Sequence, residues 1–199
     1  MSSGPRQPQI AILAYGSLIY EPGEALAELV QETEPCRTPF PVEYGRHSKK
    51  WGGGPVLTID PRGEPVEGVR MVLRPGLPLG RVIDVLALRE GISSAEGIIQ
   101  IDQPGPLAHL TCALPRNLET GDMDPAALAR RAAASVSKGM LNGVAYLRGA
   151  VRAGVRTART DAYVEAVLAV SGADDLAEAE SRLLAFPAQM IQGSDRGLG

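Results

Sequence analysis

Histidine and cysteine are almost missing from this chain, with two of each among 199 residues. Cys36 and Cys112 are too isolated for a disulfide framework or a metal knuckle, so both are expected to be reduced, buried thiols. His47 and His109 stand at no Cys-His or Ser-His spacing, and His109 falls in an alternating strand pattern that suits a core or sheet-face position. Long apolar runs are missing too. No segment reaches the length of a membrane span, and Met1–Gln9 carries two prolines but no apolar signal region, so a soluble, cytoplasmic protein is expected. Nor is there an excess of positive charge: 20 Lys and Arg against 23 Asp and Glu leave a net charge of −3, which gives no general field for nucleic acid. No phosphate loop, dinucleotide fingerprint, internal repeat or metal-ligand spacing occurs. These absences leave a small molecule as the expected partner, with no nucleic acid and no membrane.

What the chain does contain is organised around Ile10–Leu18. Ile10-Ala11-Ile12-Leu13-Ala14 is an apolar run closed by Tyr15-Gly16-Ser17-Leu18, the pattern of a strand buried on both faces. Where such a strand breaks at Gly16-Ser17, backbone can approach a ligand, and the freed N–H groups suit an anion or a developing oxyanion. A plain strand-to-loop turn is the simpler reading of the same residues. The patterns then predict a helix over Glu24–Glu32, an extended edge segment from Pro35 to Tyr44, and a mobile glycine-rich loop from Arg46 to Pro55 anchored by Trp51. A hairpin of Val56–Asp60 with Val66–Leu73 follows across Pro61–Pro65. Next come a helix over Leu79–Leu88 capped by Gly91 and a hairpin of Gly97–Asp102 with Leu107–Leu114. The last third is helical: Asp124 caps Pro125–Ser137, which ends at Gly139, and further helices span Asn142–Ala153, Thr160–Ser171 and Asp174–Phe186. The last pair has the outline of a helix-turn-helix, but Asp174, Asp175, Glu178 and Glu180 would repel a phosphate backbone. Length and composition suit one domain over 10–187, with flexible tails at 1–9 and 192–199.

Glu90 is the carboxylate to single out. At the C-terminal end of the Leu79–Leu88 helix it meets the negative end of the helix dipole, where a cation is the ordinary choice. Partial burial there would raise its pKa, the condition for a general base that later returns its proton. A solvated carboxylate compensated by Arg89 is the alternative reading, and Glu96 is a rival base.

Several of these segments together resemble the γ-glutamylcyclotransferase superfamily, including the branch that cleaves glutathione. Tyr15-Gly16-Ser17-Leu18-Ile19 with Pro22-Gly23 is similar to the family's first-strand signature. Ser48–Ile59 with Val66-Glu67-Gly68-Val69 looks like its Trp-Gly-Gly loop and the strands after it, and Leu88-Arg89-Glu90-Gly91 like its catalytic-glutamate segment. Tyr163-Val164-Glu165 and Gly172-Ala173-Asp174 are placed like its C-terminal helical segment. The resemblance implies an α+β fold: a small mixed sheet, closed into a barrel, with flanking helices and a helical C-terminal layer.

The reaction implied by the resemblance is γ-glutamyl cyclotransfer on a γ-glutamyl amino acid, amine or glutathione. The substrate's free α-amine attacks its own γ-carbonyl, closing 5-oxoproline and expelling an amine. Glu90 would serve as general acid and base, and the N–H groups of Gly16, Ser17 and Leu18 would hold the substrate carboxylate or the oxyanion. Tyr15 would border the pocket, and Trp51, Gly52 and Gly53 would complete substrate binding. Such a reaction needs no metal, nucleotide or other cofactor, and assembly as a homodimer is left open. One departure stands out. Several family members carry an aromatic residue shortly after the glutamate, where this chain has Ser93-Ser94-Ala95-Glu96-Gly97, so either Tyr44, Tyr146 or another group fills that space, or the substrate differs, or catalysis has been lost. The rival readings are a module of the same fold that holds a carboxylate metabolite without turning it over, and a partner-binding protein that uses the Ala-rich helices.

Overall fold

The computed structural model of the protein describes residues 8–92, 95–136 and 141–185. In chain order the strands are β1 (Gln9–Ala14), β2 (Val30–Arg37), β3 (Val42–Ser48), β4 (Gly54–Ile59), β5 (Glu67–Leu73), β6 (Ile98–Ile101) and β7 (Leu107–Cys112). The helices are α1 (Ser17–Tyr20), α2 (Glu24–Ala27), α3 (Leu79–Glu90), α4 (Pro125–Val136), α5 (Gly143–Arg152), α6 (Thr160–Ser171) and α7 (Leu176–Ala185). This is an α+β fold whose described residues fall into two compact units. One is drawn from Met1–Pro39 and Glu67–Pro115, the other from Phe40–Val66 and Arg116–Gly199.

The first unit is built on a five-stranded mixed sheet of order β2-β5-β1-β7-β6. β1 lies at its centre, antiparallel to β5 with Ile12 opposite Met71 and parallel to β7 with Ile12 opposite Leu110. That position follows from Ile10–Ala14, five successive residues of which none is more than 5% exposed, so the strand has no face to give to water. Ile10, Ile12 and Ala14 join Met71 and Leu110 in a core covered by Val82 and Leu86, four residues apart on one side of α3. β2 is an edge strand of mostly exposed residues. Pro35 is tolerated there because an edge leaves one row of backbone groups outside the ladder. Among the described residues the sheet does not close into a barrel: β2 and β6 remain its two edges.

Three expectations for this stretch change. The helix predicted over Glu24–Glu32 is only α2, because the chain from Val30 onward enters the ladder with β5 instead. Val56–Asp60 and Val66–Leu73 do not pair with each other: β4 pairs with β3, and β5 with β1 and β2. The turn between them is nevertheless real, with Gly63 N–H on the Asp60 carbonyl at 2.9 Å and Arg62 on the Asp60 carboxylate at 2.5 Å. Turn residues bend the chain, but strand pairing is decided by which faces can be buried together. A third change concerns the cysteines. Both are free and Cys112 is buried, but Cys36 is only half-buried because it sits on the edge strand.

The second unit contains the β3–β4 hairpin and helices α4 to α7. Here Arg46–Pro55 is no mobile loop. β3 runs to Ser48, Lys49–Trp51 makes a single tight helical turn, and Gly52 (φ 65°) and Gly53 (φ 86°) reverse the chain into β4. Hairpin and helices meet backbone to backbone. A Cβ on Gly54 would lie 2.4 Å from Gly143 Cα, and one on Gly143 would lie 3.0 Å from Ala132 Cα, so only glycine fits at the closest point. The buried Ser135 hydroxyl accepts the Gly143 N–H at 2.7 Å and donates to the Ala132 carbonyl at 2.6 Å. The expected Asp124 cap is present, its Oδ1 accepting the Ala126 N–H at 3.0 Å; Asn142, read from the sequence as the first residue of its helix, caps it instead, its Oδ1 accepting the N–H groups of Val144 and Ala145 at 3.1 and 2.9 Å. Sequence reading passed over Glu43, which is 1% exposed. It is satisfied by Arg159 Nη1 at 2.5 Å, the Thr157 hydroxyl at 2.7 Å and the Tyr44 N–H at 2.9 Å.

Of the expected boundaries, Ser137, Gly139, Phe186, most of the N-terminal tail and the whole of the tail at 192–199 lie outside the described residues. Gln9, assigned above to the N-terminal tail, instead opens β1, and its side-chain amide donates to the Leu73 carbonyl at 2.7 Å.

His109 on β7 is buried, as its strand pattern predicts. Burial, reinforced by the Arg70 guanidinium, holds its imidazole below the usual range. Unfolded, the same group takes a proton near its ordinary value of 6.5, so acid favours the unfolded chain. The stability present above that value is lost as the pH falls below it. His47, shifted the same way by burial and by Arg131 and Arg46, adds to this slope. The thermal midpoint should therefore drop between about pH 7.5 and about pH 5.5, and drop less in His109→Leu. Equal slopes for the two proteins would contradict this assignment.

Candidate functional site

The loop after β1 is fixed from two directions. On one side the Tyr15 hydroxyl donates to the Cys112 carbonyl at 2.6 Å, which ties the loop to the end of the parallel neighbour β7. Gly16 then adopts φ 67° and ψ −140°, a conformation open to glycine and costly for any residue with a Cβ. It lets the chain turn straight from a buried strand into α1. Ser17 and Leu18 are buried at the start of that helix, where no preceding helical carbonyl exists for their N–H groups.

The other side of the loop is held by α3. That helix ends at Glu90, with Gly91 left-handed (φ 67°, ψ 34°) and the Ile92 N–H bonded back to the Ala87 carbonyl at 3.0 Å. From its last turn Arg89 reaches across to α1. Its Nε and Nη2 both donate to the Glu21 carbonyl, at 3.0 and 2.5 Å, which caps the carbonyl end of that short helix. Nη2 also donates to Ser17 Oγ at 3.2 Å, and Nη1 to Glu90 Oε1 at 2.5 Å. The Arg89 side chain is 7% exposed and that of Glu90 16%. Ser17, Glu21 and Glu90 thus share one guanidinium in the first unit, and Tyr15, Gly16 and Leu18 are the chain neighbours of Ser17. Arg89 is the residue that sequence reading undervalued, because it read only the adjacent charge of Glu90. Nothing in local pattern connects Arg89 to Ser17 and Glu21, its partners at the other end of the unit's chain segments.

No family model and no curated protein matches this chain.

The remaining expected site residues belong to the second unit. Trp51 is 4% exposed and packs edge-on against Tyr146 with ring centroids 5.1 Å apart. The N–H groups of Gly52 and Gly53 bond to the carbonyls of Lys49 and Ser48 at 3.1 and 2.8 Å, so the turn uses both internally. Tyr44 and Tyr146, the two aromatics that could replace the one missing after Glu90, are core residues of the same unit. Tyr44 packs edge-on against Tyr163 at 5.0 Å, and the Tyr146 hydroxyl accepts the Leu57 N–H at 3.1 Å. Of Ser93–Gly97, the stretch where the family aromatic would stand, Ser93 and Ser94 lie outside the described residues.

Beyond the end of α3, a cleft of about 530 Å³ is lined by Gly91, Ile92, Glu96, Gly97 and the chain from Ala113 to Pro115. The rival base Glu96 faces this cleft, is exposed, and makes no hydrogen bond or ion pair among the described residues. No group of three or more His, Cys, Asp or Glu is placed to hold a metal ion among the described residues, and no described helix is long and apolar enough to cross a membrane.

If Gly16 sets the loop, Gly16→Ala should lower folding stability by about 1–3 kcal/mol, the cost of forcing a Cβ into that backbone region. Denaturant titration measures it. A loss below about 0.5 kcal/mol would mean that the loop relaxes freely.

Proposed function

We propose that the first unit carries a γ-glutamyl cyclotransferase site of the superfamily its motifs resemble, releasing 5-oxoproline from a γ-glutamyl amino acid, amine or glutathione. The single observation that carries this reading is Arg89. It brings Ser17 of the first-strand motif and Glu90 of the glutamate motif within the reach of one side chain.

On this reading the substrate's γ-glutamyl group lies against the Gly16–Leu18 turn. Glu90 takes a proton from the α-ammonium. The freed amine attacks the γ-carbonyl of the same molecule, and the developing oxyanion is met by the N–H groups at the start of α1. Collapse of the tetrahedral centre breaks the bond to the leaving nitrogen, which receives the proton from Glu90, and the second proton of the ring nitrogen passes by way of the freed carboxylate to the departing amine, which leaves as an ammonium. Nucleophile and electrophile belong to one molecule, so the chief task of the site is to fold the substrate into a reactive shape. Cys36 and Cys112, free thiols, suit a cytoplasmic setting for such a reaction. Trp51, Gly52 and Gly53 are engaged within the second unit, by the Tyr146 ring and by the carbonyls of Lys49 and Ser48.

A second reading has its own support. Glu90 is engaged by Arg89, as a carboxylate with a compensating partner would be, and a module that only binds a carboxylate metabolite needs no free base.

Incubation with a panel of γ-glutamyl compounds, followed by mass spectrometry for 5-oxoproline, separates the two. In an active protein Glu90→Gln should lower turnover by at least about a hundredfold, the lower end of what general acid and base catalysis contributes. Folding should be nearly unchanged, since the substitution preserves shape and removes a charge from a helix end that disfavours it. Glu96→Gln should keep most activity. Near-parental turnover in Glu90→Gln would remove Glu90 as the base, and binding without turnover in the parental protein would favour the binding module.

A further inference from the structure

We infer that Arg89 is the specificity-determining residue of the proposed site, and that its Nη1 is handed from Glu90 to a carboxylate of the bound molecule. Recognition of the ligand and release of the Glu90 carboxylate are then a single event. This rests on the cyclotransferase reading for its substrate, an α-amino acid joined through its γ-carboxyl, though its core claim is about binding.

Three observations carry it. The first is the donor count. A guanidinium has five N–H bonds in a fixed fork. In Arg89 three are spent on the Glu21 carbonyl and Ser17 Oγ and a fourth on Glu90 Oε1, leaving the second N–H of Nη1 without an acceptor among the described residues. The second is the quality of the Glu90 contact. Adjacent residues on a helix point in different directions, so an Arg and a Glu at neighbouring positions do not naturally face each other. They meet here through a single N–H···O bond and not through the two parallel bonds an arginine makes with a well-presented carboxylate. A carboxylate arriving from outside the helix faces no such restriction. The third is anchorage. Nε and Nη2 are pinned to α1, so Nη1 can exchange one acceptor for another without the side chain moving away. The Ser17 hydroxyl, which accepts from Arg89, keeps its own proton for a second bond to the same carboxylate.

The ligand class follows from this. The group to be recognised is a carboxylate set beside an amine that needs a base, and accepting the carboxylate frees the base. A compound with the amine but without the carboxylate leaves Glu90 paired.

The test compares ligands that differ only in that group. By calorimetry, 5-oxoproline should bind the parental protein about tenfold to a hundredfold more tightly than 2-pyrrolidinone, the same ring without its carboxylate. Arg89→Gln should abolish the preference, while Arg89→Lys, which keeps a charged donor, should retain part of it. Glu90→Gln competes less for Nη1 and should bind 5-oxoproline more tightly than the parental protein. In turnover, γ-glutamyl-alanine should react and 4-aminobutyryl-alanine, which could close its ring by the same attack, should not. Equal binding of the two rings, no binding of either, a preference that survives Arg89→Gln, or weaker binding by Glu90→Gln would each overturn the inference. If Arg89→Gln fails to fold, the parental comparison and Arg89→Lys still decide. Carboxylate-dependent binding with no 5-oxoproline formed from any substrate would uphold Arg89 as the recognition residue while removing the cyclotransferase reading.

Discussion

A strand with no polar face has to be covered on both sides and paired along both edges, and β1 imposes that requirement on the first unit. Its partners come from β5 and β7, far along the chain, and each meets β1 at close range. Gly68 of β5 passes so close that an added Cβ would lie 2.6 Å from the Ala14 carbonyl. Thr111 of β7 sends its hydroxyl to the Leu13 carbonyl at 2.8 Å. Held in this way, the strand ends at a fixed point, and the Tyr15–Leu18 turn inherits that rigidity. A turn held at such a strand end can present N–H groups without first ordering them.

Arg89 does for the helix side of the candidate site what β1 does for the strand side. α3 ends with a carboxylate at its carbonyl terminus, an electrostatically unfavourable choice that the adjacent guanidinium offsets. The same guanidinium caps α1 through the Glu21 carbonyl, so two helix ends of the same sign share one cation. Local electrostatics and site assembly are therefore one interaction. Removing the positive charge would expose two carbonyl ends and a carboxylate at once, which is why a substitution at this position has to be read by ligand preference as well as by stability.

The second unit solves a different problem. Its contacts depend on small residues, Gly54, Ala132 and Gly143, that let a hairpin and two helices touch at the backbone. Its buried charge, Glu43, tolerates burial because each carboxylate oxygen has a partner. Trp51 and Tyr146 fill the space beside this contact as an edge-on pair, which uses the chain's one tryptophan for packing.

The sequence by itself determined what depends on neighbours a few residues apart. The apolar run of β1, the α3 helix with its Gly91 cap, the β6–β7 hairpin and the Asp124 cap all follow from periodicity and local hydrogen bonding. The site was legible to the extent that its motifs were local: the Gly16–Leu18 turn and Glu90 stand out in the chain, and the resemblance joined them into an expectation. The tertiary structure alone decided which strands pair, since the turn at Asp60–Gly63 fits a hairpin as well as the separate sheets that form. It also decided that Glu43 is buried, that Trp51 and its glycines close a turn in the second unit, and that Arg89 spans Ser17, Glu21 and Glu90. The physical reason is common to all of these. A side chain's partner across a fold is chosen by burial and geometry summed over many residues, and no short window of sequence contains that sum.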